Sequence, residues 1–293
     1  MYGSLSEAIS GLFGAGTEIE QSKPVHGGDI NAAYRLVLSD GNTVFMKSNS
    51  KDNLGFFKAE MAGLNAIKAT AAIKTPEVLG YGTDKDRAFL LMSFVEGAER
   101  ARDFHKAFGH NLCMMHHFDT SGFVDGCFGF SEDNYIGAGY QKNTPKASWI
   151  DFFRECRLRP QFERAGAYFD SSEKSRIERL LERLDDYLTE PVAPSLLHGD
   201  LWGGNYIVGD DGQAWLIDPA VYVGHAEADM AMTELFGGFD TDFYRAYYEI
   251  SPMEPGYRDR RDIYNLYHLL NHLNLFGGSY RGAVVAIINR YAG

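Results

Sequence analysis

A short apolar run ending at Leu197 leads into His198-Gly199-Asp200-Leu201-Trp202-Gly203-Gly204-Asn205. Further on, Trp215-Leu216-Ile217 leads into Asp218-Pro219. Asp200 and Asn205 sit five positions apart in a glycine-rich turn, and a second apolar strand delivers Asp218. Phosphoryl transfer calls for residues of these types: one carboxylate to receive the proton of the attacking hydroxyl, and oxygen ligands to hold Mg²⁺ on the phosphates. Any one of these residues alone could simply cap backbone groups in a turn. The ordered set is a far narrower signal.

The first third of the chain offers partners for that chemistry. Lys47 closes a strand after a hairpin, where a lysine can contact ATP phosphates, and Glu60 falls in the next helix on a turn that can face it. Gly27-Gly28-Asp29-Ile30-Asn31 joins two strand-like segments and could bring backbone N–H groups against phosphates. The run Leu90-Leu91-Met92-Ser93-Phe94-Val95-Glu96-Gly97 ends a strand where the texture of the chain changes, so its free backbone groups could meet an adenine edge.

The elements that must position these groups follow from periodicity and turn chemistry. Strands are expected over 17–25, 33–39, 43–47, 78–81 and 88–95, with Asp40-Gly41 as a two-residue hairpin turn. Phe57, Met61, Leu64 and Ile67 mark a helix over 54–69. Beyond Gly97 helices dominate, over 102–118, 149–167, 172–188 and much of 227–291, with Pro160 expected to break or kink the second. Residues 196–218 read as short strands and loops. The expected organisation is α+β: an antiparallel-sheet lobe with one main helix over 1–96, and a larger, mainly helical lobe over 97–293.

Composition narrows the class of protein. Of 293 residues, 45% are hydrophobic and 23% charged, a globular balance with material for a sizeable core. Asp and Glu number 40 against 28 Lys and Arg, a net charge of −12, and no basic run offers a nucleic-acid surface. Three cysteines do not make a disulfide framework. No apolar run spans a bilayer and the N-terminus lacks a basic leader, so a cytoplasmic chain is expected, with no membrane or nucleic-acid partner. The charge is local: residues 198–250 hold ten Asp and Glu against Arg245 alone. An acidic cleft of that kind would attract Mg²⁺ and a protonated amine. His268 and His272, one helical turn apart, read as a packed pair and not a metal site, and His116-His117 as helix surface and core.

Taken in order, the glycine loop, Lys47, Glu60, the hinge, His-Gly-Asp…Asn and Ile-Asp-Pro resemble the aminoglycoside phosphotransferase and choline kinase branch of the protein-kinase-like fold. The Asp200-to-Asn205 spacing equals that of the protein-kinase catalytic loop. More narrowly, nearly the whole chain resembles the fructosamine kinase (ketosamine 3-kinase) family. The resemblance rests on Gly27–Asn31, Asp133-Asn134-Tyr135-Ile136-Gly137, Gln141-Lys142-Asn143, Trp149-Ile150-Asp151-Phe152-Phe153 and Arg157-Leu158-Arg159-Pro160-Gln161. It continues through His198–Asn205, Asp218-Pro219-Ala220, Gly224-His225-Ala226-Glu227-Ala228-Asp229, Leu235–Phe239 and Tyr267–His272.

The resemblance implies a bilobal kinase-like fold and ATP- and Mg²⁺-dependent phosphorylation of the 3-hydroxyl of ketosamines, as small molecules or on glycated proteins. The phosphorylated adduct then breaks down, a deglycation role. By position, Asp200 is implied as catalytic base, Asn205 and Asp218 as Mg²⁺ ligands, and Lys47 as the phosphate contact with Glu60 as its ion-pair partner. Gly27, Gly28, Ile30 and Asn31 would cover the nucleotide, and Met92, Ser93, Phe94 and Val95 would hold the adenine. Asp229 would brace the catalytic loop from below, with His198 supporting it. Trp202 is the expected face of the sugar pocket, with Asn134, Gln141, Asn143 and His225 as further acceptor-side candidates. Relatives of this family often carry Cys where Asp29 stands; with no cysteine before Cys113, no redox-linked dimer is expected here, and a monomer is. Two other readings are kept: a phosphotransferase for an aminoglycoside, choline or another amino alcohol, and a catalytically silent nucleotide-binding scaffold.

Overall fold

The computed structural model describes residues 1–25 and 30–293. Its contacts divide the chain into two units: Met1–Phe104 with Tyr206–Asp218, and His105–Asn205 with Pro219–Gly293. The first unit therefore runs several residues past the sequence boundary at 96. It also takes in a hairpin, Tyr206–Val208 with Ala214–Leu216, from the far half of the chain. The cause is backbone pairing: Leu216 N–H donates to Lys74 C=O at 2.8 Å and Ala101 N–H to Gly212 C=O at 3.0 Å.

The first unit is built on an antiparallel sheet of five strands in the order β1-β2-β3-β5-β4. The strands are β1 (Ile19–Val25), β2 (Ala32–Leu38), β3 (Thr43–Ser50), β4 (Val78–Asp84) and β5 (Arg87–Ser93). Helix α1 (Leu5–Phe13) precedes the sheet and α2 (Leu54–Ala69) interrupts it. Alternation along the strands sorts the core into two layers. Leu36, Val44, Met46, Phe89 and Leu91 pack with Ile9 of α1; Phe45, Leu90 and Met92 pack with Phe57 and Leu64 of α2. Lys47 follows that alternation onto the α2 side. Helix α1 went unseen in the sequence pattern, although Ser4-x-x-Glu7 is a helix-start signature. Ser4 Oγ accepts from Glu7 N–H at 3.1 Å, and Glu7 Oε2 from Gly3 N–H at 2.8 Å. The β2–β3 turn has three residues where two were expected. Leu38 N–H donates to Asn42 C=O, and Gly41 takes the left-handed conformation (φ 87°) that closes such loops.

The second unit is mainly helical. Its longest helix, Tyr257–Phe276, is buried through Ile263, Tyr264, Leu266, Tyr267, Leu270 and Leu273. Pro160 does not break the helical path from 149 to 164. The chain winds as α-helix over Trp149–Phe152, as a wider π-helix over Phe153–Leu158, then as α-helix over Arg159–Arg164 with Pro160 in its first turn. Pro160 has no N–H for the carbonyl four residues back, and that carbonyl, of Cys156, accepts instead from Arg157 Nη1 at 2.9 Å. Two short ladders complete the unit: Asn134–Ile136 with Gly139–Gln141, and Ser195–Leu197 with Tyr222–Gly224. Among the described residues no helix is long and apolar enough to cross a membrane.

Candidate active site

In the first unit three ionic groups converge. Lys47 Nζ donates to Glu60 Oε1 at 2.5 Å and also to Asp218 Oδ1. Strand alternation supplies the lysine and the inner face of α2, between Phe57 and Leu64, supplies the glutamate. Burial opposes the lysine's charge, yet the carboxylates of Asp218 and Glu60 outweigh it and hold the ammonium above its ordinary range. Burial pushes the Glu60 carboxyl upward, against the pull of Lys47. Asp218 has a left-handed backbone (φ 53°), rare for a non-glycine residue and a form of strain that gathers at functional sites. Its side chain keeps 40% exposure while those of Lys47 and Glu60 keep 11% and 12%, so Asp218 is the member of the trio open to a ligand.

The other residues expected to meet the nucleotide frame the same sheet. Asn49 Nδ2 donates to Asn31 Oδ1 at 2.8 Å and to Ile30 C=O at 3.2 Å, fixing the chain at the start of β2 onto β3. Gly27, Gly28 and Asp29 lie outside the described residues. Met92 is buried against α2, and β5 ends at Ser93. Ser93 N–H donates to Glu77 C=O, and Ser93 Oγ accepts from Glu77 N–H, both at 2.8 Å. The Arg35 guanidinium covers the Phe94 ring at 4.7 Å.

In the second unit the loop that begins at His198 is held by one buried carboxylate. Asp229 Oδ2 accepts from His198 N–H at 2.7 Å and Oδ1 from Gly199 N–H at 2.9 Å. His116 Nε2 lies 3.2 Å from Asp229 Oδ2, and its Nδ1 lies 2.7 Å from Tyr247 Oη. The carboxylate accepts, so Nε2 carries a proton, and Nδ1 shares a hydrogen bond with the tyrosine hydroxyl. Burial works against the Asp229 charge, yet the hydrogen bonds and fields of His116, His198 and Gly199 N–H hold its carboxyl below the usual range. Gly199 takes φ 81°, and a Cβ there would come within 2.1 Å of Ala220 C=O, so only glycine fits. Beyond it, Asn205 Nδ2 donates to Asp200 C=O at 2.8 Å and to Asp200 Oδ2 at 3.0 Å.

Trp202 is 41% exposed and meets Phe236 edge-on at 6.5 Å. Its indole lies over Gly204, where a Cβ would clash at 2.4 Å. Three other acceptor-side candidates, Asn134, Gln141 and Asn143, have polar atoms committed within the protein. Asn134 Nδ2 donates to Val221 C=O at 2.7 Å, and Gln141 Nε2 donates to Ala220 C=O at 3.0 Å and to Asn134 Oδ1 at 2.8 Å. Asn143 Nδ2 also reaches Asn134 Oδ1, and Tyr267 Oη–H donates to Gln141 Oε1. Arg157 Nη2 donates to Asn143 Oδ1 at 2.7 Å, with its guanidinium 3.9 Å from the Tyr222 ring. These amides fasten the backbone that follows Asp218-Pro219. His225 joins neither group and lines a separate cavity.

Sequence reading missed His116, Arg157 and Tyr267. Arg157 and Tyr267 stood inside quoted motifs without a role, and nothing local marks His116 as the partner of Asp229.

The donor chemistry suits a hard divalent cation in each unit: Asp218 in the first, and Asp200 and Asn205 in the second once Asn205 has spent its Nδ2 on Asp200, offer oxygen ligands. Asn205 Oδ1 accepts no hydrogen bond among the described residues.

A five-stranded antiparallel sheet carrying a buried Lys–Glu pair, and a helical unit carrying a braced His-Gly-Asp…Asn loop, define a phosphotransferase of the protein-kinase-like fold. The structure of an aminoglycoside phosphotransferase with streptomycin and ATP shares that fold, with a TM-score of 0.63 at 13% identity over 97% of this chain and 94% of that one. A family model for fructosamine kinase matches residues 1–292, and the chain belongs to the fructosamine kinase family. It is 40% identical over 283 residues to a "probable ketoamine kinase" of Synechocystis sp., covering 95% of this chain and 92% of that one. It is 38% identical over 282 residues to the chloroplastic protein-ribulosamine 3-kinase of Oryza sativa subsp. indica, covering 95% and 80%. A crystal structure from Haemophilus somnus 129PT, assigned as a fructosamine-3-kinase, superposes with a TM-score of 0.87 at 30% identity over 99% of this chain and 97% of that one. The chain is an ATP-dependent phosphotransferase acting on a hydroxyl group.

Proposed function

We propose that this chain transfers the γ-phosphoryl group of ATP to the 3-hydroxyl of a ketosamine, free or on a protein amine, as a step in deglycation. The observation that carries the reading is the complete ionic set in a chain matching the family model over residues 1–292: Lys47–Glu60–Asp218 in one unit and Asp200–Asn205 on the Asp229 brace in the other.

Lys47, charged and fixed by Glu60, holds the nucleotide phosphates. Asn205 Oδ1 and the Asp218 carboxylate would be the ligands for Mg²⁺, whose charge would offset that of the phosphates. Asp200 orients the acceptor hydroxyl and takes its proton, with Oδ2 fixed by Asn205. Asp229 keeps His198 and Gly199 in place, so the Asp200 backbone does not reorganise as the hydroxyl attacks. The exposed face of Trp202 packs on the sugar. Ile30, Asn31 and the segment from Met92 to Val95 serve the nucleotide, with Gly27 and Gly28 assigned there by motif alone. The amides of Asn134, Gln141 and Asn143 support the backbone after Asp218. Three unpaired cysteines suit the reducing cytoplasm.

An acceptor screen tests the reading. ATP consumption is followed with ribulosamine, erythrulosamine and fructosamine adducts of a blocked lysine, beside an aminoglycoside and choline. Turnover is expected with at least one ketosamine, giving a 3-phosphate. Phosphorylation of the aminoglycoside or choline with every ketosamine inert would overturn it.

A further inference from the structure

The helical unit holds a cavity of about 420 Å³ that no residue from Leu197 to Asn205 lines. A ring nitrogen of His225 and one carboxylate oxygen each from Glu227 and Glu254 lie there within 4.8 Å of one another. Such a trio invites a metal ion, but its hydrogen bonds argue for a different ligand. Glu227 N–H donates to His225 Nδ1 at 3.2 Å, which uses that lone pair and places the proton of the neutral ring on Nε2. Burial keeps the ring neutral at physiological pH. Nε2 is thus a donor and not a ligand. Both oxygens of Glu227 are taken by Arg260, at 2.7 Å and 2.6 Å, a bidentate pair.

Two groups are left over. His225 is 4% exposed, yet its Nε2–H has no hydrogen-bond partner; the Glu227 oxygen nearby is 3.8 Å away. A buried donor left unmade is costly and calls for an acceptor. Glu254 makes only a long ion pair with Arg260 Nη2, at 4.0 Å, and its side chain is 43% exposed, so its carboxylate has room for a second cation. With Glu227 balanced by Arg260, Glu254 leaves this part of the wall negative. Met230, Pro194, Met253 and Tyr257 contribute hydrocarbon to the lining.

We propose that this cavity binds a small aliphatic ammonium ion with an oxygen acceptor on the adjacent carbon, a vicinal amino alcohol or α-amino carbonyl compound. The ammonium meets Glu254, the oxygen accepts from His225 Nε2–H, and the alkyl group packs on Met230 and Tyr257. The close spacing of the two protein groups matches the span of such a pair. The proposal goes beyond the phosphoryl transfer described above, and binding is measured without ATP, so it stands or falls separately from that reading.

The probe is L-leucinol, titrated calorimetrically into the full-length protein, with isoamylamine as the analogue lacking the hydroxyl. Leucinol is expected to bind saturably at one site, isoamylamine about tenfold more weakly, and leucinol to Glu254→Gln about tenfold more weakly with an unchanged thermal midpoint. Three results would overturn the proposal: no saturable binding of leucinol, equal affinity for isoamylamine or for E254Q, or a tight one-to-one Zn²⁺ site that E254Q abolishes.

Discussion

Asn205 donates twice to Asp200, to its main-chain oxygen at 2.8 Å and to its carboxylate Oδ2 at 3.0 Å. One side chain therefore fixes both the backbone and the carboxylate of the proposed base, while its own Oδ1 accepts no hydrogen bond among the described residues. Asp200→Asn replaces the proton acceptor with an amide of the same shape. Turnover should fall by about 10³-fold, within the range of lost general-base catalysis, while nucleotide affinity changes less than threefold. Single-turnover kinetics and a nucleotide titration check this; full turnover in the variant would remove Asp200 from its role.

Lys47 separates two carboxylates, and its loss leaves Glu60 buried opposite Asp218 with no cation between them. Lys47→Ala should raise the KM for ATP at least tenfold and lower the thermal midpoint by several degrees, because an unpaired buried carboxylate is expensive. Lys47→Ala with Glu60→Gln should recover much of the midpoint and none of the ATP affinity. Thermal melts and ATP titrations separate the two effects.

Asp229→Asn keeps the shape but weakens an acceptor that serves His198 N–H, Gly199 N–H and His116 at once. An amide has one oxygen where the carboxylate has two, so at least one buried donor goes unmet, at a cost of about 1–3 kcal/mol. The variant should lose that much stability in urea unfolding and drop kcat at least tenfold, with the KM for ATP nearly unchanged. A kcat equal to that of the parent would show that the loop does not need this brace.

His225 and His268 are held neutral by burial, at about 4 and about 3, against 6.5 in the unfolded chain. Lowered folded values make the unfolded state the better proton binder below pH 6.5, so stability is full above that pH and falls as pH drops toward 4. Each histidine should cost about 2 kcal/mol between pH 7.5 and pH 5. Urea midpoints at the two pH values measure the drop, and His268→Gln should remove about half of this histidine contribution. A variant with the parent's full drop would contradict the assignment.

Trp202 offers its exposed face beside Phe236. Trp202→Ala should raise the ketosamine KM about tenfold, in line with the loss of an aromatic contact surface, and leave the KM for ATP unchanged. Initial rates against each substrate are the check.

Strand and helix periodicity made much of this legible in advance. The helix at 54–69 falls where Phe57, Leu64 and Ile67 require it, and the strands from β1 to β5 depart from expectation by a few residues at their ends. Helix α1 escaped because its apolar face is short, though its cap was written in Ser4 and Glu7. Pro160 misled because the rule against proline in helices assumes α winding, and a π turn with an arginine to satisfy the orphan carbonyl evades it. Asn134, Gln141 and Asn143 were expected at the acceptor, and residue type alone could not say that hydrogen bonds of Asn134 and Gln141 would be spent on Val221 and Ala220.

By itself the sequence determined which chemistry-bearing residues exist, in what order, and on which elements, because alternation and turn residues act over a few positions. Lys47 on the helix side of its strand and Gly199 in a glycine-rich turn belong to that local information. Tertiary structure alone decided who answers whom. Lys47 and Asp218 are 171 residues apart, His116 and Asp229 113, and Tyr267 and Gln141 126. No local propensity encodes such pairs: a buried charge or donor accepts whatever partner the packed core delivers, and packing is a property of the whole chain.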